Sequence, residues 1–555
     1  MLAVASFLIP LAVYILPHRY HGSGDSIPAE LVPITILHGH GLNLNEFTSP
    51  NEDLPYYLHN SHGHIISSYP VIPALLNMPA YSIASLFRVD LYKNRFQLSL
   101  VTAATLVSFS VLFLFLTLRE LSGDPLHAFW FALLYAFGTN AWSTAGIAIF
   151  QHGPSLFFLT GAIYCLVRSG GSTTPLAGLF LGFAVWNRPT NIVFALSLAV
   201  YVLVHRRRFF LMFAALAAIP AVLLAVFSQI YWGSVRALGQ GQGGWGFNGR
   251  VLGGLAGLLV SPSRGLLIFT PLFVFGVVEG IRRTRRDSVD PLLTYLFTSC
   301  VLLIAIYTKW GVWWGGHSFS YRLITEVSPA LILLAAEAWR AWVRGHSISR
   351  RLFYAAAALS VVVQTIGVWP YPTLFNQGID TEPSRLWSWK EGELAIGVSK
   401  VLVRYHLRRH EIRVHHPGNE QVGAPFSGAR YHVWWTLANN DDNIPGWCDA
   451  PVDQQVVKGP VLVYGWAKSA MGEVDVRVIL DEGRKVAIPD RYPRADVAKA
   501  LPQLGDVSRA GWKVWFLFPP GEPVDHEVTI EFRAPNGHVR FLPPLHFRWE
   551  AKPSK

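Results

Sequence analysis

Apolar runs long enough, or nearly long enough, to cross a bilayer recur through the first 370 residues, and no other feature restricts the fold so tightly. They occupy about 1–17, 97–118, 127–148, 151–167, 175–187, 189–204, 209–231, 265–281, 291–309, 322–343 and 352–370, which makes about eleven spans. Backbone in lipid must satisfy its own hydrogen bonds, so such runs fold as helices packed side by side. Composition agrees: 51% of the 555 residues are hydrophobic, 15% are charged and the mean hydropathy is +0.32, which excludes an ordinary soluble globular protein. Segment 1–17 lacks the basic start and small-residue cleavage site of a signal peptide and is read as a helix whose brevity points to a clipped start.

The net charge of +11 invites a nucleic-acid reading, but Lys and Arg gather at the ends of apolar runs and form no aromatic-interleaved stripe. Topology accounts for them better, and no nucleic-acid partner is expected. Three clusters, His205 to Arg208, Arg282 to Arg286 and Arg344 to Arg351, belong on the cytoplasmic side by the positive-inside rule. The runs above put them there if 175–204 is two short helices joined at Asn187-Arg188-Pro189 and if 70–88 lies along the membrane. The N-terminus is then inside and the C-terminus outside, and loops 18–96, 149–152, 232–264 and 310–321 face outward. The expected location is a cell (inner) membrane, crossed many times.

Beyond 371 the pattern changes. A linker with Trp387, Trp389 and the basic stretch Arg404 to Arg413 occupies 371–424, and alternating apolar and polar residues follow over 425–550. Val461 to Trp466, Val474 to Leu480, Trp512 to Phe518 and Val528 to Phe532 read as short strands between turns, which predicts an extracytoplasmic β-sandwich. Cys165, Cys300 and Cys448 are too few for a disulfide framework.

Chemistry is expected in the outward loops, held by a rigid helical scaffold. Gly24-Asp25-Ser26 opens the first of them, followed by Pro28-Ala29-Glu30. A carboxylate at the mouth of a transmembrane helix is placed where a lipid-linked substrate meets water. Sugar transfer with inversion needs one carboxylate to take the acceptor's proton, while a leaving phosphate needs a cation. Asp25 is the candidate base, Glu30 a candidate substrate contact, and Arg188, Arg264 and Arg322 are candidate phosphate ligands. His152, in Gln151-His152-Gly153-Pro154, and His317, in the Trp- and Gly-rich loop Lys309 to Arg322, are further substrate contacts.

Each has a plainer reading: Asp25 as the cap of a helix starting near Pro28, Glu30 as a first-turn dipole partner, and Arg188 in an ion pair. Glu46, Glu52 and Asp53 are expected to be solvated, as are His38, His40, His59, His62 and His64, which have no recognised zinc spacing. The glycine-rich stretch Gly239 to Gly257 lacks the ending of a phosphate-binding P-loop.

Over roughly residues 1–370 this pattern resembles the GT-C superfamily of membrane glycosyltransferases, and is similar to bacterial relatives of the protein mannosyltransferases and the lipid A aminoarabinose transferase. In that family an acidic residue opens the first outer loop, an amphipathic helix follows, and a Tyr-Pro or Lys-Pro-Pro motif leads to a second membrane-lying helix. Asp25, the segment from about Pro28 to His38, and Ser67 to Pro73 with Tyr69 occupy those places. The resemblance implies a polyprenyl-phosphate sugar donor, a glycan, lipid or protein acceptor, and contact with membrane lipid. Tyr69 joins the expected substrate-binding residues on this ground. The family often has a second acidic residue where this chain has Ser26, so no metal ligand is assigned; no cofactor is assigned, and a divalent cation is left open. A polysaccharide polymerase or ligase using a lipid-diphosphate donor, and a transporter or flippase of lipid-linked glycans, are the alternatives.

Overall fold

The computed structural model describes residues 1–16, 20–48, 54–235, 246–285, 291–369, 379, 383–398 apart from 391 and 396, and much of 446–550. Glu52, Asp53, Gly239 to Gly244, Arg286, Arg404 to Arg413 and the expected boundary at 424/425 lie outside the described residues. The chain divides into two compact units: Met1–Leu44, Asp53–Pro372 and Pro383–Val401 in one, and Asn45–Glu52, Thr373–Glu382 and Leu402–Lys555 in the other.

The first unit is helical. Helices α1 (Leu2–Ile15), α2 (Ile27–Leu37), α3 (Ile72–Leu86), α4 (Arg95–Ser122) and α5 (Pro125–Gly138) are joined with a small hairpin, β1 (Leu58–Ser61) and β2 (His64–Ser67). Then come α6 (His152–Val167), α7 (Thr174–Asn187), α8 (Ile192–His205), α9 (Phe210–Trp232) and α10 (Val251–Val260). The unit continues through α11 (Leu266–Phe269), α12 (Phe273–Thr284), α13 (Leu292–Thr308), α14 (Ser328–Ala338) and α15 (Ser347–Val368).

Local chemistry sets the breaks. Between α4 and α5, Gly123 closes one helix with a φ of 69°, and the Asp124 carboxylate opens the next by accepting from the N–H groups of Leu126 and His127, with Pro125 in the first turn. Between α7 and α8, Arg188 is extended and Pro189 follows it, so the chain breaks at Asn187-Arg188-Pro189.

Among the described residues, three helical segments are long and apolar enough to cross a membrane: Arg95–Ser122, Arg207–Trp232 and Ser347–Val368. Several other runs are interrupted. The run 127–148 stops at Gly138 and continues as a π turn over Ala141–Ala145. The run 265–281 is divided between α11 and α12, and 322–343 begins with a 3-10 turn, Arg322–Val327. On α9, Leu211, Met212, Val222 and Ile230 are exposed, an apolar surface suited to lipid and not to water.

The second unit holds the C-terminal sheets. Strands β3 (Gly446–Ala450), β4 (Gln455–Lys458), β5 (Val461–Ala467), β6 (Asp475–Leu480), β7 (Lys485–Ala487) and β8 (Asp490–Tyr492) precede a short helix, α16 (Ala495–Ala500). After it come β9 (Gly511–Phe516), β10 (Val524–Arg533), β11 (Val539–Phe541) and β12 (Leu545–Glu550). One sheet has the order β3-β5-β9-β8, the other β4-β12-β10-β6-β7 with β11 also on β10. Strand β5 alternates strictly, burying Val461, Val463, Gly465 and Ala467. Val463 and Trp512 from one sheet and Val478, Ile530 and Phe547 from the other share one core.

Candidate functional site

The site begins at the Gly24–Ser26 turn, which Ser23 shapes: its hydroxyl accepts from the Asp25 N–H at 3.4 Å, and its carbonyl accepts from the Ser26 hydroxyl at 2.9 Å. The Asp25 carboxylate does not cap α2. Its Oδ1 accepts from the Tyr56 hydroxyl at 2.8 Å and from the Tyr69 hydroxyl at 2.7 Å, and its Oδ2 pairs with Nη2 of Arg322. Gly24 makes room for this, since a Cβ there would stand 2.4 Å from the Tyr56 hydroxyl oxygen. Burial pushes the Tyr69 hydroxyl well above its ordinary range, so it stays protonated and continues to donate.

The β1–β2 hairpin presents the two tyrosines from its flanks. His62 and Gly63 form its tip with φ of 52° and 88°, and the Asn60 side chain accepts from the Gly63 N–H at 2.9 Å. The Ser61 hydroxyl donates to the Tyr231 carbonyl at 2.6 Å, and His59 stacks on Trp232 at 4.6 Å, which ties the hairpin to the end of α9. Part of the histidine-rich loop is therefore ordered structure.

Behind Asp25 runs a chain of charged groups. The Arg322 guanidinium covers the Phe150 ring at 4.6 Å, and its Nε donates to Nε2 of His152 at 3.3 Å. Nδ1 of the same ring lies 3.2 Å both from Oε1 of Glu326 and from Nη1 of Arg188. The other Glu326 oxygen pairs with Nη1 of Arg188. Nη2 of Arg188 donates to the Tyr307 hydroxyl at 2.6 Å and to the Leu323 carbonyl at 2.8 Å. Asp25 and Glu326 offset Arg188 and Arg322, so with a neutral His152 the set has no net formal charge. Such balance matters because an uncompensated buried charge costs several kcal/mol.

The residues expected at the site are thus placed in different ways. Asp25, Tyr69, His152, Arg188 and Arg322 come together in one bonded set. Glu30, 1% exposed, lies behind the turn; its Oε1 accepts from Tyr20 at 2.5 Å and from Ser26 at 2.9 Å, and Nε of Arg95 stands 3.8 Å from Oε2. Burial pushes the Glu30 carboxyl up, with Arg95, Tyr20 and Ser26 pulling it back. Arg264 is also 1% exposed, and it donates to the carbonyls of Ser263, Trp314 and Gly316 and pairs with Glu393. These bonds to its own protein's groups anchor the loop. His317 is half-buried in the loop leading to Arg322. Among the described residues no cluster of His, Cys, Asp or Glu is arranged to hold a metal ion.

An apolar groove opens beside Asp25, walled by Pro28 and Val32 of α2, Pro73 of α3, Ile66, and Phe227 and Tyr231 of α9. Sequence reasoning missed Tyr56, Phe150, Tyr307 and Glu326. Glu326 had a usable signal, being an acid inside an apolar run, where an ionisable residue calls for a partner. In comparisons with known proteins, no protein-family model and no curated protein matches this chain.

Proposed function

We propose that this chain is a membrane-embedded glycosyltransferase of the GT-C kind, which moves a sugar from a polyprenyl-phosphate donor to an acceptor on the outer face. In this reading about eleven segments cross or enter the bilayer, the short and broken helices among them, and the C-terminal sheets lie outside the cytoplasm as a β-sandwich. The observation that carries the reading is Asp25 paired with Arg322 at the edge of an apolar groove.

The step follows from those groups. The acceptor hydroxyl gives its proton to Asp25 while its oxygen forms a bond to the anomeric carbon. The bond from that carbon to the phosphate oxygen breaks, and the phosphate leaves with the electron pair. Arg322 meets the charge that develops on it. A carboxylate held by a guanidinium and two tyrosine hydroxyls is a weak base. Donor binding resolves this, because the donor's phosphate competes for Arg322 and draws it from Asp25, which raises the carboxylate's proton affinity when an acceptor is needed.

The test is sugar transfer in membrane vesicles holding wild-type or Asp25→Asn protein, supplied with labelled polyprenyl-phosphate sugar. The substitution should lower the rate by about 10²–10⁴-fold with donor binding retained. Transfer at the wild-type rate by a folded, membrane-inserted Asp25→Asn protein overturns the mechanism.

A further inference from the structure

The loop that carries Arg322 is fastened from behind by a segment that follows α15. Glu393 is buried, and its Oε2 accepts from the Ser320 N–H at 3.0 Å and stands 2.5 Å from Nη1 of Arg264. Arg264 in turn donates through Nε to the Trp314 carbonyl at 3.0 Å and through Nη2 to the Gly316 carbonyl at 3.3 Å. Together the pair holds three backbone points of one loop, the last of them two positions before Arg322.

Further contacts close the same seam. The Ser261 hydroxyl donates to the Leu386 carbonyl at 2.7 Å, and the Glu393 N–H donates to the Ser263 hydroxyl at 3.3 Å. Gly392 permits the approach, for a Cβ there would lie 2.4 Å from the Ser388 carbonyl oxygen and 3.1 Å from the Ser263 hydroxyl. Ser320 has a φ of 65°, an unfavourable conformation for a residue with a side chain, which persists where neighbours impose it.

We propose that Glu393 and Arg264 are positioning residues: they latch the backbone of the 314–322 loop and so set where Arg322 stands beside Asp25, and they couple the segment after the last long helix to the site. What the latch means for catalysis rests on the reading of Arg322 as the phosphate ligand. The latch itself does not.

Burial pushes the Glu393 carboxyl up to about 7, against the pull of Arg264, the charged group acting on it, and of the Ser320 N–H. A solvated glutamate titrates near 4.5, so closing the latch takes up a proton between those values. Closure is favoured at low pH and weakens as pH rises through 7.

Hydrogen–deuterium exchange on the full chain in lipid nanodiscs, corrected for intrinsic exchange, tests this. Wild-type protection over 314–322 should fall roughly tenfold from pH 6 to pH 8. Glu393→Gln should abolish that dependence, and Arg264→Lys should lower protection at both pH values. Wild-type protection that is indifferent to pH, or a Glu393→Gln protein that keeps the wild-type response, overturns the latch. Sugar transfer measured on the same samples separates the two ideas: exchange that follows the expected pattern in a wild-type protein inactive in transfer upholds the latch and removes the catalytic reading.

Discussion

At the scale of single residues, the most consequential group is one that sequence reasoning passed over. Arg188 was legible as a guanidinium needing an anion, because Trp186 and Pro189 place it among apolar residues; its partner proved to be Glu326, inside an equally apolar run. The partnership could not be read from sequence, since 138 residues separate the two and only packing brings them together. Both are buried, so Glu326→Gln leaves Arg188 without its counter-charge and should destabilise the protein by about 3–5 kcal/mol. Replacing the pair together, Arg188→Met with Glu326→Leu, should cost much less. Thermal melting of the three proteins in one detergent checks both statements, and equal losses for the single and paired variants would contradict the ion-pair account.

At the scale of elements, legibility followed the strength of the local signal. The chain break at Asn187-Arg188-Pro189 announces itself through proline. The β1–β2 hairpin was hidden because its strands are only four residues long and its tip is His62-Gly63, less familiar than Asn-Gly. His59, His62 and His64 therefore read as solvated loop residues where the structure has two antiparallel strands. Gly63 has a φ of 88°, so Gly63→Val should cost about 1–2 kcal/mol locally and loosen the flanks that carry Tyr56 and Tyr69. Limited proteolysis would register this as faster cleavage within 58–67, and an unchanged cleavage rate would argue against the hairpin as the tyrosines' support.

At the scale of the whole molecule, composition pointed to helices apolar enough to cross a membrane, three of which are among the described residues, and the alternation in Val461 to Trp466 pointed to the sheet region. The number of spans was harder, because a run of apolar residues does not show where a helix inside it will break; the π turn at Ala141–Ala145 and the 3-10 turn at Arg322–Val327 leave no mark in hydropathy. Two units with separate cores should respond separately to damage. Trp512, fully buried in the sheet core, offers the cleanest trial: Trp512→Ala should cost that unit about 3–5 kcal/mol. Amide protection should fall in β10 and stay unchanged in α4, and parallel losses in both would show that the units unfold as one.

The ion network also dictates an order of events during synthesis. Asp25 and Arg322 lie 297 residues apart, and His152 and Glu326 lie 174 apart. A ribosome that has made the first three hundred residues has therefore delivered Asp25, His152 and Arg188 to the membrane before either Arg322 or Glu326 exists. Until the short 3-10 turn at Arg322–Val327 emerges, Asp25 and Arg188 lack their oppositely charged partners, although tyrosine hydroxyls already bond to them. The turn therefore acts as a clasp added late, and nascent chains cut just before it should be held by the insertion machinery or degraded, whereas chains cut just after α14 should be retained.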